Sequence, residues 1–446
     1  MQLKFVPLLL WSAVALGAAD RPFFNVRDFG AIGDGRVLDT AALNRAAAAC
    51  FAAGGGTVFL PPGRYLSGTV RVASHVTLEI GAGATLVASP NGDDYPLVAD
   101  VWELGRTLVA PLLYADGAEN ISFTGRGTID GQGRIWWQRQ WLLTPKHGAH
   151  AASTPEELAE AAIARRGRPQ LIRLVRCRDV VISELNLVDS PQWNVHPLLC
   201  ENVRVDGITI RADPISPNTD GINPESCRNV QILNCHIDNG DDCITLKSGV
   251  NLLGRQMGRP DEDITIANCI MDHGHGGVTI GSEMSGGVRN VTVTNCVFHG
   301  TDNGIRIKSQ RGRGGVVEGL TVSNIVMQDV PHPFVITTFY MGSDTAADLY
   351  PVDEGTPRFR GFLFSNITAR GARDAGSITG LRELPISDIS FSHVRIESAT
   401  GFTCTNARAI TFFDTEIEAA SGSPLVLKNT AEIDGRGIRS PMAIRP

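Results

Sequence analysis

Four short segments carry acids, bases and cations at matched spacing. They are Thr219-Asp220-Gly221-Ile222, Asp241-Asp242-Cys243-Ile244, His275-Gly276-Gly277-Val278 and Asp302-Asn303-Gly304-Ile305, the last running on into Arg306-Ile307-Lys308. Overlaid on their apolar residues, they put Thr219, Asp241, His275 and Asp302 in one row and Asp220, Asp242, Gly276 and Asn303 in the next. If each segment is a strand stacked on the one before, Asp220 lies on Asp242 with Asp241 beside them. Carboxylates roughly 5 Å apart cannot all ionise freely, so at least one is expected to hold its proton where ordinary carboxylates have lost theirs. An acid and a base at the same pH are what acid–base hydrolysis needs. If Ile305 and Ile307 point inward, Arg306 and Lys308 point outward together. Asp241 and Asp242 reach one face only if the chain bends, which Gly240 permits. A lone Asp-Asp pair reads best as a solvated turn; the company of Asp220, His275, Arg306 and Lys308 favours a working site. Three Asp could also hold Ca²⁺, but His275, Arg306 and Lys308 around a cation argue against it, and no metal or cofactor is expected.

Such stacking requires a repeat, and one is present. A frame of apolar, x, apolar, x, x, apolar, x, apolar recurs, with its second apolar residue at Ile182, Val205, Ile232, Ile266, Val293, Val322, Phe364, Phe391 and Phe412; Leu78 and Phe123 are degenerate earlier copies. Two short alternating strands broken by two residues make a bend between strands, not a helix. Before the second strand stand Asn234, Asn268, Asn295, Asn324 and Asn366, with Gly207 in another copy. These residues tolerate a left-handed backbone, and stacked Asn amides can bond from coil to coil. The fold expected is all-β: a right-handed parallel β-helix with coils about 4.8 Å apart.

The rest of the chain fits that expectation. It has 446 residues, 43% of them hydrophobic and 20% charged, with 48 Gly, and these proportions exclude a disordered or collagen-like chain. Forty basic against 47 acidic residues give a net charge of −7 without basic runs, so no nucleic-acid partner is expected. Residues 1–19 read as a signal peptide, with Lys4, an apolar stretch and small residues to Ala19. The mature chain, 20–446, is then one β-helix catalytic domain, secreted or periplasmic, monomeric and away from membranes. Cys177, Cys200 and Cys227 share one frame position, and Cys235, Cys269 and Cys296 another, which reads as two buried columns. Asp39-Thr40 before an alanine-rich run to Ala53 predicts an N-capped helix closing the first coil. Thr154, Pro155 and Glu157 predict a second helix to Arg166, inside an insertion from Gly133 to Pro169 whose Trp136, Trp137 and Trp141 read as loop packing before sugar stacking. Further insertions run from Gly249 to Asp263 and from Phe339 to Arg358.

With Asn218-Thr219-Asp220, Gly240-Asp241-Asp242, Gly274-His275-Gly276 and Arg306-Ile307-Lys308 in this order, the chain resembles the polygalacturonases of glycoside hydrolase family 28. The resemblance extends through Gly127-Thr128-Ile129-Asp130-Gly131 and Ser190-Pro191 to His196-Pro197, closest in kind to the exo-acting or plant-like bacterial branch. It implies inverting hydrolysis of α-1,4-galacturonosyl linkages in pectin or polygalacturonate. It matches Asp241 to the general acid, Asp220 and Asp242 to the pair activating water, and His275 to a support of the acid. Arg306 and Lys308 match the residues that hold the substrate carboxylate. Tyr340, His196 and Lys247 are further candidates for substrate contact, His196 one coil outside the Asp pair, where a chain end could be met. The long insertions favour exo-cleavage. The rival readings are a rhamnogalacturonan hydrolase, which would lack the His275 equivalent, a Ca²⁺-dependent pectate lyase on the same fold, and a non-enzymatic solenoid adhesin.

Overall fold

The computed structural model describes residues 22–439 apart from 104, 342 and 343; the expected signal peptide lies outside them. Parallel strands stack in three columns that run the length of the chain. The first column passes through Val76–Ile80, Glu119–Thr124, Arg178–Ser183, Glu201–Asp206 and Arg228–Leu233 and on to Ala431–Asp434. The expected anchors form its inner row. Leu78 pairs with Phe123, Phe123 with Ile182, Ile182 with Val205, and so on through Ile232, Ile266, Val293, Val322, Phe364 and Phe391 to Phe412. All are buried. Towards the C-terminal end the row turns aromatic, with Phe391 stacked 4.9 Å from Phe364 and 5.0 Å from Phe412 between ring centroids.

The bend after this column is where backbone and side chain agree. Asn234, Asn268, Asn295, Asn324 and Asn366 all have φ between +53° and +58°. Each donates from its amide to the residue one coil earlier, from Asn234 to Asp206 at 2.8 Å through Asn366 to Asn324 at 3.3 Å. A second ladder that the frame did not announce runs through left-handed Asp179, Asn202 and Asn229 at the strand entrance. The nine cysteines are buried and free, and Cys177 N donates to Cys200 Sγ one coil on.

The first coil is closed by the helix Thr40–Ala52, whose buried face is Ala42, Leu43, Ala46, Ala47 and Cys50. Small side chains let the helix sit close on the open end. Asp39 does not cap it as expected: its carboxylate instead accepts from Ile32 N at 2.7 Å and Gly33 N at 3.0 Å, fixing the loop that leads in. The helix Pro155–Arg165 is present with its capping box. It packs on an unexpected one, Gly133–Leu143, which buries Trp136 and Trp137; the indole of Trp137 donates to Ser190 O at 3.0 Å. The 249–263 insertion likewise holds a short helix, Asn251–Met257. Among the described residues no helix is long and apolar enough to cross a membrane.

The third column positions the site. Its strands include Leu113–Asp116, Ile172–Val175, Val195–Leu198, Asp242–Leu246, Gly276–Ile280, Asn303–Lys308 and His332–Thr337. An antiparallel hairpin, Leu97–Ala99 with Thr107–Val109, leaves the solenoid and covers Tyr114, Val175, Leu198 and Leu199 of this column. The helix pair of the first insertion is tied to the same region, Arg166 to Asp93 at 2.7 Å and Arg139 to Pro90 O at 2.8 Å.

The ladder supports a direct test. Asn295 both donates and accepts along it, at φ +56°. Asn295→Ala should cost about 1–2 kcal/mol, the strain of a left-handed alanine plus two exposed bonds, and Asn295→Gly less, because glycine keeps the backbone free of strain. Urea denaturation midpoints would show the order; an alanine variant as stable as the parent would remove the ladder's role.

Candidate active site

Isolated bridges pair Ile222 with Ile244 and Glu225 with Lys247, and the strand pairs Asp242 with Gly276 and Ile244 with Val278. Val278 in turn pairs with Ile305 and Thr279 with Arg306. The overlay made on sequence is therefore the register of the molecule, and Asp220 stacks on Asp242. One oxygen from each of Asp220, Asp241 and Asp242 lies within 4.8 Å of the others. The bend at Gly240 brings the neighbours Asp241 and Asp242 to one side. A Cβ on Gly240 would stand 2.3 Å from Ser216 O, so only glycine lets the two turns approach. Thr219 stitches them, its hydroxyl accepting from Gly240 N at 3.1 Å and its carbonyl from Asn239 Nδ2 at 2.9 Å. Gly276 is required for a different reason: its Cβ would meet Thr279 Oγ1 at 2.4 Å and Asp242 Oδ1 at 3.0 Å, in the space Asp242 uses.

The three carboxylates differ in surroundings. Asp242 is buried and accepts from Lys308 Nζ at 2.7 Å, Thr279 Oγ1 at 2.9 Å and Arg306 Nη1 at 3.3 Å. Burial alone would raise its pKa, but the charges of Lys308 and Arg306 hold it down to about 2. Asp220 is as deeply buried, and among the described residues its one side-chain donor is Asn223 Nδ2 at 3.2 Å. Burial first, and the charge of Asp241 next, push Asp220 well above the usual carboxylate range. Asp241 keeps 17% of its side chain exposed, the most open of the three. His275 Nδ1 lies 3.1 Å from Asp241 Oδ1, and that hydrogen bond raises the imidazole's pKa against the pull of burial. The cluster's charge is thus met by protein cations on one flank and by an imidazole on the other.

The other candidates fall into place unevenly. Tyr340 stands over both cations, its ring centre 4.8 Å from Lys308 Nζ and 5.5 Å from Arg306 Cζ, while its neighbour Phe339 turns to Arg311. Arg306 retains 19% side-chain exposure; Lys308 is buried against Asp242. Lys247 is buried too, 3.0 Å from Glu283 Oε2 and over the ring of Trp193. His196 is in the expected column, its strand neighbour Val195 pairing with Ile222. Its ring, however, is buried rather than open to a chain end, with Nε2 2.9 Å from Glu225 and Nδ1 3.0 Å from Gln170.

Sequence reasoning missed two supporting residues. Thr279 is legible as a polar residue in the outward row of the overlay, in the same row as Arg306. Arg168 carried no signal, since it ends an insertion outside the frame. Its guanidinium donates to Pro191 O at 2.9 Å, Pro217 O at 2.7 Å and Asn218 Oδ1 at 2.7 Å, clamping the left-handed Asn218 two residues before Asp220.

Comparison with known proteins agrees with this geometry. Residues 109–421 match "Glycosyl hydrolases family 28", and residues 23–101 match "Rhamnogalacturonase A/epimerase, pectate lyase-like". The chain is 35% identical over 400 residues to a probable polygalacturonase of Vitis vinifera, covering 86% of this chain and 77% of that one. It is similar in structure to a hyperthermoactive exopolygalacturonase from Thermotoga maritima, with a TM-score of 0.74 at 30% identity over 91% of this chain and 92% of that one. It is also similar to a family 28 exopolygalacturonase from Yersinia enterocolitica, with a TM-score of 0.79 at 25% identity over 94% and 79%. The stacked carboxylates and the family match over most of the chain lead to one conclusion: the chain belongs to the glycosyl hydrolases of family 28 and is a glycoside hydrolase.

Proposed function

We propose that this glycoside hydrolase cleaves α-1,4-galacturonosyl linkages of polygalacturonate from a chain end, with inversion. The observation that carries the reading is the register that sets Asp220 on Asp242 with Asp241 beside them, between His275 and the Arg306–Lys308 pair. Asp241, the most exposed carboxyl, is the general acid. Asp242, ionised under Lys308 and Arg306, takes the proton of a water held between it and Asp220. In the reactive arrangement Asp241 carries the proton to be given, oriented by His275. Asp241 gives that proton to the glycosidic oxygen as the bond to the anomeric carbon breaks, and the water attacks from the opposite face. Arg306, the more open cation, with Tyr340 beside it, suits the substrate carboxylate.

End-wise cutting is supported by the hairpin and the helix pair, which both close over the coils preceding the Asp cluster. The same reading takes the protein to be exported after loss of residues 1–19 and to act as a monomer on a pectic chain. The N-terminal sequence and solution mass of the recovered protein check both points.

Three outcomes follow from these roles. Asp241→Asn should lower kcat by about 10²–10⁴ while leaving circular dichroism unchanged, because the solenoid rests on its inner rows. A folded variant with near-parental kcat would remove Asp241 from the acid role.

Asp220 has a pKa raised in the folded state, so its ionisation favours the unfolded chain. Its cost to stability is absent below about pH 4, where both states are protonated, and grows as pH rises above the unfolded value. Asp220→Asn should therefore be inactive yet melt higher than the parent at pH 7, with the gap closing below about pH 4. A lower melting point at pH 7 would contradict the sign.

For the mode of attack, viscosity and reducing ends are followed together on polygalacturonate. Viscosity should fall slowly for each bond cut, and NMR should show the β-anomer first. A rapid fall at low cleavage would mean internal cutting, and an initial α-anomer would mean retention.

A further inference from the structure

A cavity of about 230 Å³ lies between the hairpin and the end of the helix pair, and none of the three carboxylates lines it. Arg106 and Val109 stand on its hairpin side, Arg166 and Arg168 at the end of the helix pair, and Arg173 and Gln170 at its floor; no carboxylate lines it. The floor belongs to the groove. Arg173 pairs with His196, and the outward row continues through Asn223, Thr245 and Thr279 to Arg306. Arg173 is thus two coil steps, about 10 Å, beyond the coil of Asp220, on the side away from Arg306 and Lys308.

The arginines differ in what they hold. Arg166 is paired with Asp93, and Arg106 with Glu103 and Asp100. Arg168 spends its guanidinium on two carbonyls and an amide, all neutral. Arg173 is 96% buried, at 4% exposure, and among the described residues its guanidinium makes no hydrogen bond and no ion pair; its Nε is a buried donor without an acceptor. Glu225, Asp100 and Asp116 act on it through space, but each is engaged elsewhere, Glu225 by His196 and Gly249 N, Asp100 by Arg106 and Asp116 by Arg176. A buried guanidinium with no anion in contact is costly, and packing does not require one. An anion arriving in the cavity with the substrate would complete it.

We propose that this cavity is the subsite for the terminal galacturonate of the bound chain, whose carboxylate is met by the Arg173 guanidinium. The inference rests on the exo-hydrolysis proposed above. It makes recognition of the chain end electrostatic: the closed end of the groove offers a fixed cation that only an acidic terminal sugar satisfies, while Gln170 and Arg168 present polar groups beside it. The distance from the Asp cluster places this terminal sugar apart from the one being cut.

The test compares the wild-type enzyme with Arg173→Gln and Arg173→Lys on short oligogalacturonates. Loss of a charge-assisted contact should raise KM about 10- to 100-fold in R173Q with kcat little changed, and R173K should recover part of it. Because the charge is unpaired without substrate, R173Q should melt no lower than the parent. An R173Q with parental KM, or one whose melting point drops with kcat and KM failing together, overturns the subsite and makes Arg173 structural or idle. The wild-type product profile separates this from the reading beneath it: internal cutting by the wild type defeats both, whereas end-wise cutting with an indifferent R173Q defeats the subsite alone.

Discussion

Parallel strands in a stack of coils can change register only in whole residues, and a slip of one residue turns every side chain to the opposite face. In the third column that constraint reaches the chemistry. Ile222, Ile244, Val278 and Ile305 face the core in sequence, and the inward row they form holds Asp220 on Asp242 and Thr279 on Arg306. A slip in any one coil would expose an isoleucine or valine and swing a carboxylate or a guanidinium out of the cluster. Register is thus enforced by apolar burial at each coil and by the Asn ladder at the neighbouring bend, neither of which touches substrate. The glycines at 240 and 276 are the local exceptions, because they release space that the stacking itself would fill.

From this register the electrostatics follow. Two buried carboxylates one coil apart would both resist ionisation, but Asp242 accepts directly from cations of later coils, whereas Lys308 acts on Asp220 only through space. Lys308 and Arg306 commit Asp242 to the ionised form, and that leaves Asp220, beside the charge of Asp241, to hold a proton. The asymmetry comes from where the chain runs next, since Arg306 and Lys308 are two coils beyond Asp242 on one side. His275 is brought to Asp241 by the same stacking, with its backbone N donating to Asp241 O at 3.1 Å.

Much of this was legible because a solenoid translates sequence spacing directly into spatial neighbourhood. Every anchor of the apolar frame, from Leu78 to Phe412, sits in one buried row, and the five Asn of the bend are all left-handed. The overlay of four segments reproduced the pairing that builds the site, and Tyr340 was brought over Lys308 although the frame fails around it. What was not legible lies where the chain leaves the frame. The hairpin around Val98 and Val109 and the helix Gly133–Leu143 have no periodic neighbour to fix them, and their positions depend on tertiary contacts such as Trp137 with Ser190. Arg168 and Arg173 are placed by those same insertions. Asp39 departs from the expected cap for a related reason: a carboxylate before a helix is free to satisfy any nearby N–H groups, and those of Ile32 and Gly33 are held within its reach. His196 lies in the expected column but beneath the surface, since its cover comes from Gln170 at the end of an insertion.

The central claim is that register makes Asp220 the proton-holding member of the cluster. Infrared difference spectroscopy of the wild-type protein against Asp220→Asn, titrated through the acid and neutral range, reads that proton directly. The account predicts a carboxylic-acid C=O band that persists in the wild type well above about pH 4, the ordinary range for aspartate, and is missing from the variant. A difference spectrum with no protonated-carboxyl band above that range would contradict it.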